Sequence, residues 1–129
     1  MFSAIDSFSG FSVDDLARAR EFYRDTLGLA VESEGDMGIR LTLPGGGEVF
    51  VYAKPDHTPA SFTILNFVVD DIEASVDELN AAGVVTKIYD NAEFPTDAKG
   101  IARPNNPEWG PDIAWFRDPA GNVLSVIQA

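Results

Sequence analysis

The chain has 129 residues, of which 45% are hydrophobic, enough to fill one core or two half-cores within a single domain. A formal charge of -12, from 21 acidic against 9 basic residues, repels phosphate backbones and anionic lipid surfaces, so it argues against nucleic acid and membrane as partners. There is no cysteine to form disulfides or thiolate metal sites, no cationic leader with an apolar run, and no apolar stretch near the roughly 20 residues that span a bilayer, so a cytoplasmic location is expected.

In chain order, residues 7–13 alternate as a strand. Asp14 or Asp15 then caps a helix through Leu16, Ala19, Phe22, Tyr23 and Leu27, which Gly28 ends. Strands are expected at 29–34, 37–43 and 48–54, with Gly35-Asp36 and Pro44-Gly45-Gly46-Gly47 as turns. The glycine run lacks the helix and the Lys-Ser/Thr pair of a phosphate cradle, and reads as a turn. Residues 55–61 form a polar linker. A strand at 62–69 follows, and Asp70-Asp71 caps a helix through Ile72, Val76, Leu79 and Ala82 that stops at Gly83. Strands at 84–89, 112–117 and 122–127 complete the chain.

The order β-α-β-β-β thus occurs twice, and the residues repeat with it. Phe11-Ser12-Val13-Asp14-Asp15-Leu16 returns as Phe67-Val68-Val69-Asp70-Asp71-Ile72, and Gly47-Glu48-Val49-Phe50-Val51 is echoed by Gly121-Asn122-Val123-Leu124-Ser125. The offset grows from 56 (Val13 to Val69) to 74 (Gly47 to Gly121), so the second copy carries 18 extra residues. These fall in a long loop over 90–111, rich in Pro, Gly and Asn. The domain therefore divides into a first module at 1–54, a linker at 55–61 and a second module at 62–129.

The paired modules, the Val-Asp-Asp-Leu motif followed by Ala19-Arg20-Glu21-Phe22-Tyr23 and Leu27-Gly28-Leu29, and the terminal Phe116-Arg117-Asp118-Pro119-Ala120-Gly121-Asn122 resemble the vicinal oxygen chelate superfamily. That group includes glyoxalase I, extradiol dioxygenases, fosfomycin-resistance enzymes and bleomycin-resistance proteins. The resemblance implies an α+β fold in which two βαβββ modules form a cup-shaped mixed sheet around a ligand. It also implies a homodimer. Its metal-binding members place a histidine in each module's first strand and a glutamate in each module's last. The matching positions here are Phe8 and Ile64 for histidine, and Val51 and Ser125 for glutamate. None is a good ligand for zinc, iron or manganese, so neither a metal nor any other cofactor is expected. The only histidine, His57, stands in the linker and reads as solvated, which leaves no Ser/His/Asp set.

The ligand-binding residues expected are Phe8, Val51, Phe62, Ile64, Asn66, Trp109, Trp115 and Ser125. Asn66 and Ser125 would orient a ligand by hydrogen bonds within an otherwise apolar pocket. If Arg117 pairs with Val123 across the Asp118–Asn122 turn, Trp115 falls opposite Ser125; its alternative reading is a core tryptophan. Trp109 has no periodic apolar face to join, so it is read as a ring at the cavity mouth that stacks on a flat ligand or holds a cation. Glu93, Asp97, Lys99, Arg103, Glu108 and Asp112 in or beside the loop could reach a ligand, although loop charges are commonly solvated. Two classes follow. One is a metal-independent protein that binds and sequesters a neutral or cationic small molecule; the other is a lyase, isomerase or dioxygenase-type enzyme of the same superfamily.

Overall fold

A computed structural model describes residues 1–90, 93, 95–104 and 107–129. The parts of the expected 90–111 loop at Asn91, Ala92, Phe94, Asn105 and Asn106 lie outside the described residues. The chain divides into two compact units, Met1–Pro59 and Ala60–Ala129. Each contains a four-stranded mixed sheet and a helix, as the α+β reading requires. Among the described residues no helix is long and apolar enough to cross a membrane.

In the first unit, β1 (Ser9–Val13) leads to α1 (Leu16–Glu21), then β2 (Ala30–Ser33), β3 (Ile39–Thr42) and β4 (Glu48–Ala53). The sheet order is β1-β4-β3-β2, with β1 parallel to β4 and the other pairs antiparallel. Asp15, and not Asp14, caps α1: its carboxylate accepts from Arg18 N–H at 3.1 Å. Beyond Glu21 the helix widens into a π-helical turn, Phe22–Thr26. The extra residue in that turn lets two consecutive aromatics, Phe22 and Tyr23, both face the core, their rings edge to face at 5.2 Å.

Alternation then sorts the sheet residues. Val13, Ile39, Leu41, Val49 and Val51 are buried on the helix side, and Phe11 meets Tyr23 there at 5.9 Å. The opposite, helix-free face carries Gly10, Ser12, Arg40, Glu48, Phe50 and Tyr52.

The second unit repeats the plan with β5 (Thr63–Val69), α2 (Ile72–Ala81), β6 (Ile101–Ala102), β7 (Ile113–Arg117) and β8 (Val123–Gln128), ordered β5-β8-β7-β6. Asp71 caps α2 as Asp15 caps α1, accepting from Ala74 N–H at 3.1 Å. Ile72, Val76, Ile101, Ala114, Phe116, Leu124 and Val126 form its core. The helix-free face carries Asn66, Val68, Trp115 and Ser125.

The strand expected at 84–89 does not form. Burial does alternate there, Val84 and Thr86 being buried and Val85 exposed, but the segment has no ladder partner among the described residues, and Ile101–Ala102 takes the place beside β7. Side chains hold it instead. Asn80 Nδ2 donates to Val84 O at 3.1 Å and Thr86 Oγ1 at 2.8 Å, and the Thr86 hydroxyl donates to Lys99 O at 2.6 Å. Gly100, at φ +88°, lies so close to the Thr86 carbonyl that a Cβ would stand 1.9 Å from its oxygen.

The repeat also has a different register from the one the glycines suggest. In the β3–β4 hairpin, Leu43 N–H donates to Gly47 O at 2.8 Å and Gly46 N–H to Leu43 O at 3.0 Å. The β7–β8 hairpin makes the same two bonds, from Asp118 N–H to Asn122 O and from Gly121 N–H to Asp118 O. Gly46 and Gly121 both take positive φ, as this turn requires at that position. Gly46 therefore matches Gly121, and the offset is 75, not 74. Val51 corresponds to Val126, and Phe50 to Ser125. The β1 and β5 partners agree: Gly10 pairs with Phe50 as Asn66 pairs with Ser125.

Candidate functional site

This register corrects one expected binding residue. Val51 is 0% exposed and sits on the helix side of β4, so it belongs to the core; Phe50 takes the helix-free face. The glutamate position of the metal-binding pattern is then Phe50, which is no better a ligand than Val51. With Phe8, Ile64 and Ser125 at the other three positions, the donor set does not fit a divalent metal. Among the described residues no three His, Asp or Glu side chains cluster as a metal site.

In the first unit Phe50 stacks on Tyr52, ring centroids 5.9 Å apart and planes 19° from parallel. Beside this pair opens a cleft of about 320 Å³, lined by Phe8, Glu34, Met37, Arg40, Glu48, Val49 and Phe50. Phe8 precedes β1 and is 72% exposed, while Met37, in the 3-10 turn between β2 and β3, is 74% exposed. Large apolar side chains therefore stand in solvent at the cleft. Arg40 projects from β3 among three carboxylates: it is paired with Glu32, lies 3.4 Å from Glu34 and 3.9 Å from Glu48. Glu32 first, then Glu34 and Glu48, hold its guanidinium above the usual arginine range.

His57 is corrected as well. It is half-buried, with its backbone N–H donating to Lys54 O and its Nδ1 2.6 Å from Ser12 Oγ. Ser12 lies opposite Tyr52 on the helix-free face, so the linker brings an imidazole to the edge of that face. The chain supplies this pair from positions 45 apart, which no local pattern reveals.

In the second unit the structure brings three expected residues together. Trp115 lies opposite Ser125, as the Arg117–Val123 pairing requires, and Ser125 lies beside Asn66. The buried Ser125 hydroxyl donates to Asn66 Oδ1, which leaves the amide's Nδ2 donors pointing away from the serine. Trp115 is half-buried, with Tyr89 edge-on at 5.2 Å. Tyr89 lies in the 84–89 segment, where the sequence pattern points to a strand and gives no sign of a binding residue.

Ile64 is half-buried at a bulge where the β5–β8 register shifts, and Phe62 is 68% exposed just before β5. Trp109 ends a 3-10 turn, Pro107–Trp109, and is 73% exposed. The expected 90–111 loop is tied to α2 by charge. Lys99 Nζ lies 3.0 Å from Glu73 and 2.7 Å from Asp77, while Arg103 pairs with Glu73 and lies 2.9 Å from Asp112. Asp77 first, then Glu73, raise the Lys99 pKa above its ordinary value. Lys99, Arg103, Asp97 and Asp112 are thus all engaged in ion pairs.

Residues 4–126 match the model of the Glyoxalase/Bleomycin resistance protein/Dioxygenase superfamily, and the chain belongs to that family. The uncharacterized protein YraH of Bacillus subtilis is 27% identical over 130 residues, covering 90% of this chain and 91% of YraH. Among solved structures, TnmS3, an antibiotic binding protein from Streptomyces sp. CB03234, is 24% identical with a TM-score of 0.65, covering 98% of each chain. The fosfomycin resistance protein FosX of Listeria monocytogenes is 13% identical with a TM-score of 0.71, covering 100% of this chain and 95% of its own. Both share the fold.

Proposed function

We propose that this protein binds and sequesters a small, partly apolar organic compound without a metal and without transforming it. The observation that carries the reading is the make-up of the helix-free sheet faces. One presents Phe50 and Tyr52 with Phe8 nearby, and the other presents Trp115 with Tyr89, beside the oriented Asn66 amide. Such surfaces hold flat ligands by stacking and orient them with few polar groups. The family's bleomycin-resistance branch and the antibiotic-binding TnmS3 support sequestration as the purpose. A net charge of -12 favours a neutral or cationic ligand over an anion. Tryptophan fluorescence titration with planar cations, neutral aromatics and anionic thiol conjugates tests the reading. Saturable quenching by the first two supports it, and binding by the anions alone defeats it.

A second reading is a lyase or isomerase of the same family, and the Ser12–His57 pair favours it. An imidazole 2.6 Å from a hydroxyl can exchange a proton with it or with a bound compound. Turnover of a candidate substrate that disappears in His57→Ala would establish this reading over sequestration.

A further inference from the structure

We propose that the cleft beside Phe50 binds a planar aromatic cation, its ring system against Phe8, Met37 and Phe50 and its positive charge facing Glu34 and Glu48; this rests on reading the protein as a small-molecule binder. The cleft, at about 320 Å³, is large enough for a small ligand. Four apolar side chains line it, Phe8, Met37, Val49 and Phe50, and Phe8 and Met37 stand mostly in solvent. An exposed phenylalanine and methionine at one opening have no packing role in the unit's core and offer polarizable surface to a flat ring. Phe50 is already stacked on Tyr52, so its outer face is held in a fixed orientation.

Charge then selects among flat compounds. Arg40 is the basic residue lining the cleft, and it is engaged by Glu32, leaving Glu34 at 3.4 Å and Glu48 at 3.9 Å on its other nitrogens. Three carboxylates around one guanidinium leave a local charge of two negatives at the cleft rim. An anionic ring would meet that charge directly. A neutral ring would gain only the apolar contact, whereas a cation gains both contact and charge. Glu48 and Phe50 alternate on the same face of β4, so one strand presents the carboxylate and the ring together.

The probe is 10-methylacridinium, compared with neutral 10-methylacridone and anionic acridine-9-carboxylate by fluorescence anisotropy at low ionic strength. The cation should bind about tenfold more tightly than the neutral compound, and the anion should bind most weakly. Glu34 and Glu48 are exposed, so a Glu34→Gln/Glu48→Gln variant should fold; circular dichroism checks this. That variant should lose about tenfold for the cation and little for the neutral compound, while Met37→Ala should weaken both. Unchanged cation affinity in the double variant would overturn the assignment, as would a preference for the anion. Cation binding that is insensitive to Met37→Ala but abolished by Trp115→Ala would place the ligand elsewhere; the binder reading would then survive and this site would not. If none of the three compounds binds while Trp115 fluorescence still responds to other aromatics, only this proposal fails. If no compound of any kind binds, both readings fail.

Discussion

Replacing Val51 by Ala tests the register that separates the core from the binding face. Val51 is 0% exposed between Phe11 on β1 and Ile39 on β3, in the strand that α1 packs against. The substitution deletes two methyl groups, about 1.6 kcal/mol of transfer free energy, and leaves a cavity that adds roughly 1 kcal/mol if its walls relax only in part. A loss of about 2–3 kcal/mol is expected, or roughly 10 °C in Tm for a chain of this size. Phe50→Ala on the neighbouring position should cost only about 1 kcal/mol, mainly its contact with Tyr52, since Phe50 is half-buried on the helix-free face. Urea unfolding followed by circular dichroism gives both values. The opposite order, with Phe50→Ala the more damaging and Val51→Ala nearly neutral, would show that β4 is turned over and that the offset of 74 was right.

Asp118→Ala should destabilise the second unit by about 2–4 kcal/mol, because the buried carboxylate accepts from Ala120 N–H, Asn122 N–H and Asn122 Nδ2 at 2.9–3.0 Å; an effect under about 0.5 kcal/mol in the same denaturation assay would remove that turn from the account. The Asp97 carboxyl is held below its ordinary value of 3.8. Its burial opposes this and is outweighed by the Ile101 and Lys99 N–H groups and by Arg103. Its stabilising share is present above that ordinary value and lost as pH falls through the lowered one, so the Tm gap between wild type and Asp97→Asn should narrow below about pH 4 and stay constant from pH 5 to 7. We further expect a homodimer, since Met1, Phe2 and Ile5 are apolar and exposed; a monomer mass in sedimentation at micromolar concentration would count against it.

Local signals carried much of the fold. Each Asp-Asp pair precedes an amphipathic run, and the second aspartate of each accepts the capping bond, because an N-cap is decided within a few residues. The pairing of Trp115 with Ser125 was legible for the same reason, since a short hairpin loop fixes register. β4 was ambiguous because both of its phases are apolar, Val49 and Val51 in one and Phe50 and Tyr52 in the other. Glu48, in phase with the aromatics, was the available sign that this phase faces away from the core. Alternation over 84–89 was real, but period alone does not say whether a ladder partner exists, and the partner's place went to Ile101–Ala102. The Ser12–His57 contact and the gathering of Met37, Phe8 and Phe50 at one cleft are tertiary facts without a local signature.

Sequestration requires that the protein hold a compound without altering it. The direct measurement is native mass spectrometry of the purified protein, alone and after incubation with the aromatic panel, followed by release and mass analysis of whatever was bound. A protein–ligand complex whose ligand is recovered with unchanged mass is expected, at the same level in the presence of a chelator. Recovery of a converted compound, or binding that vanishes when a stoichiometric metal is stripped from the protein, would contradict it.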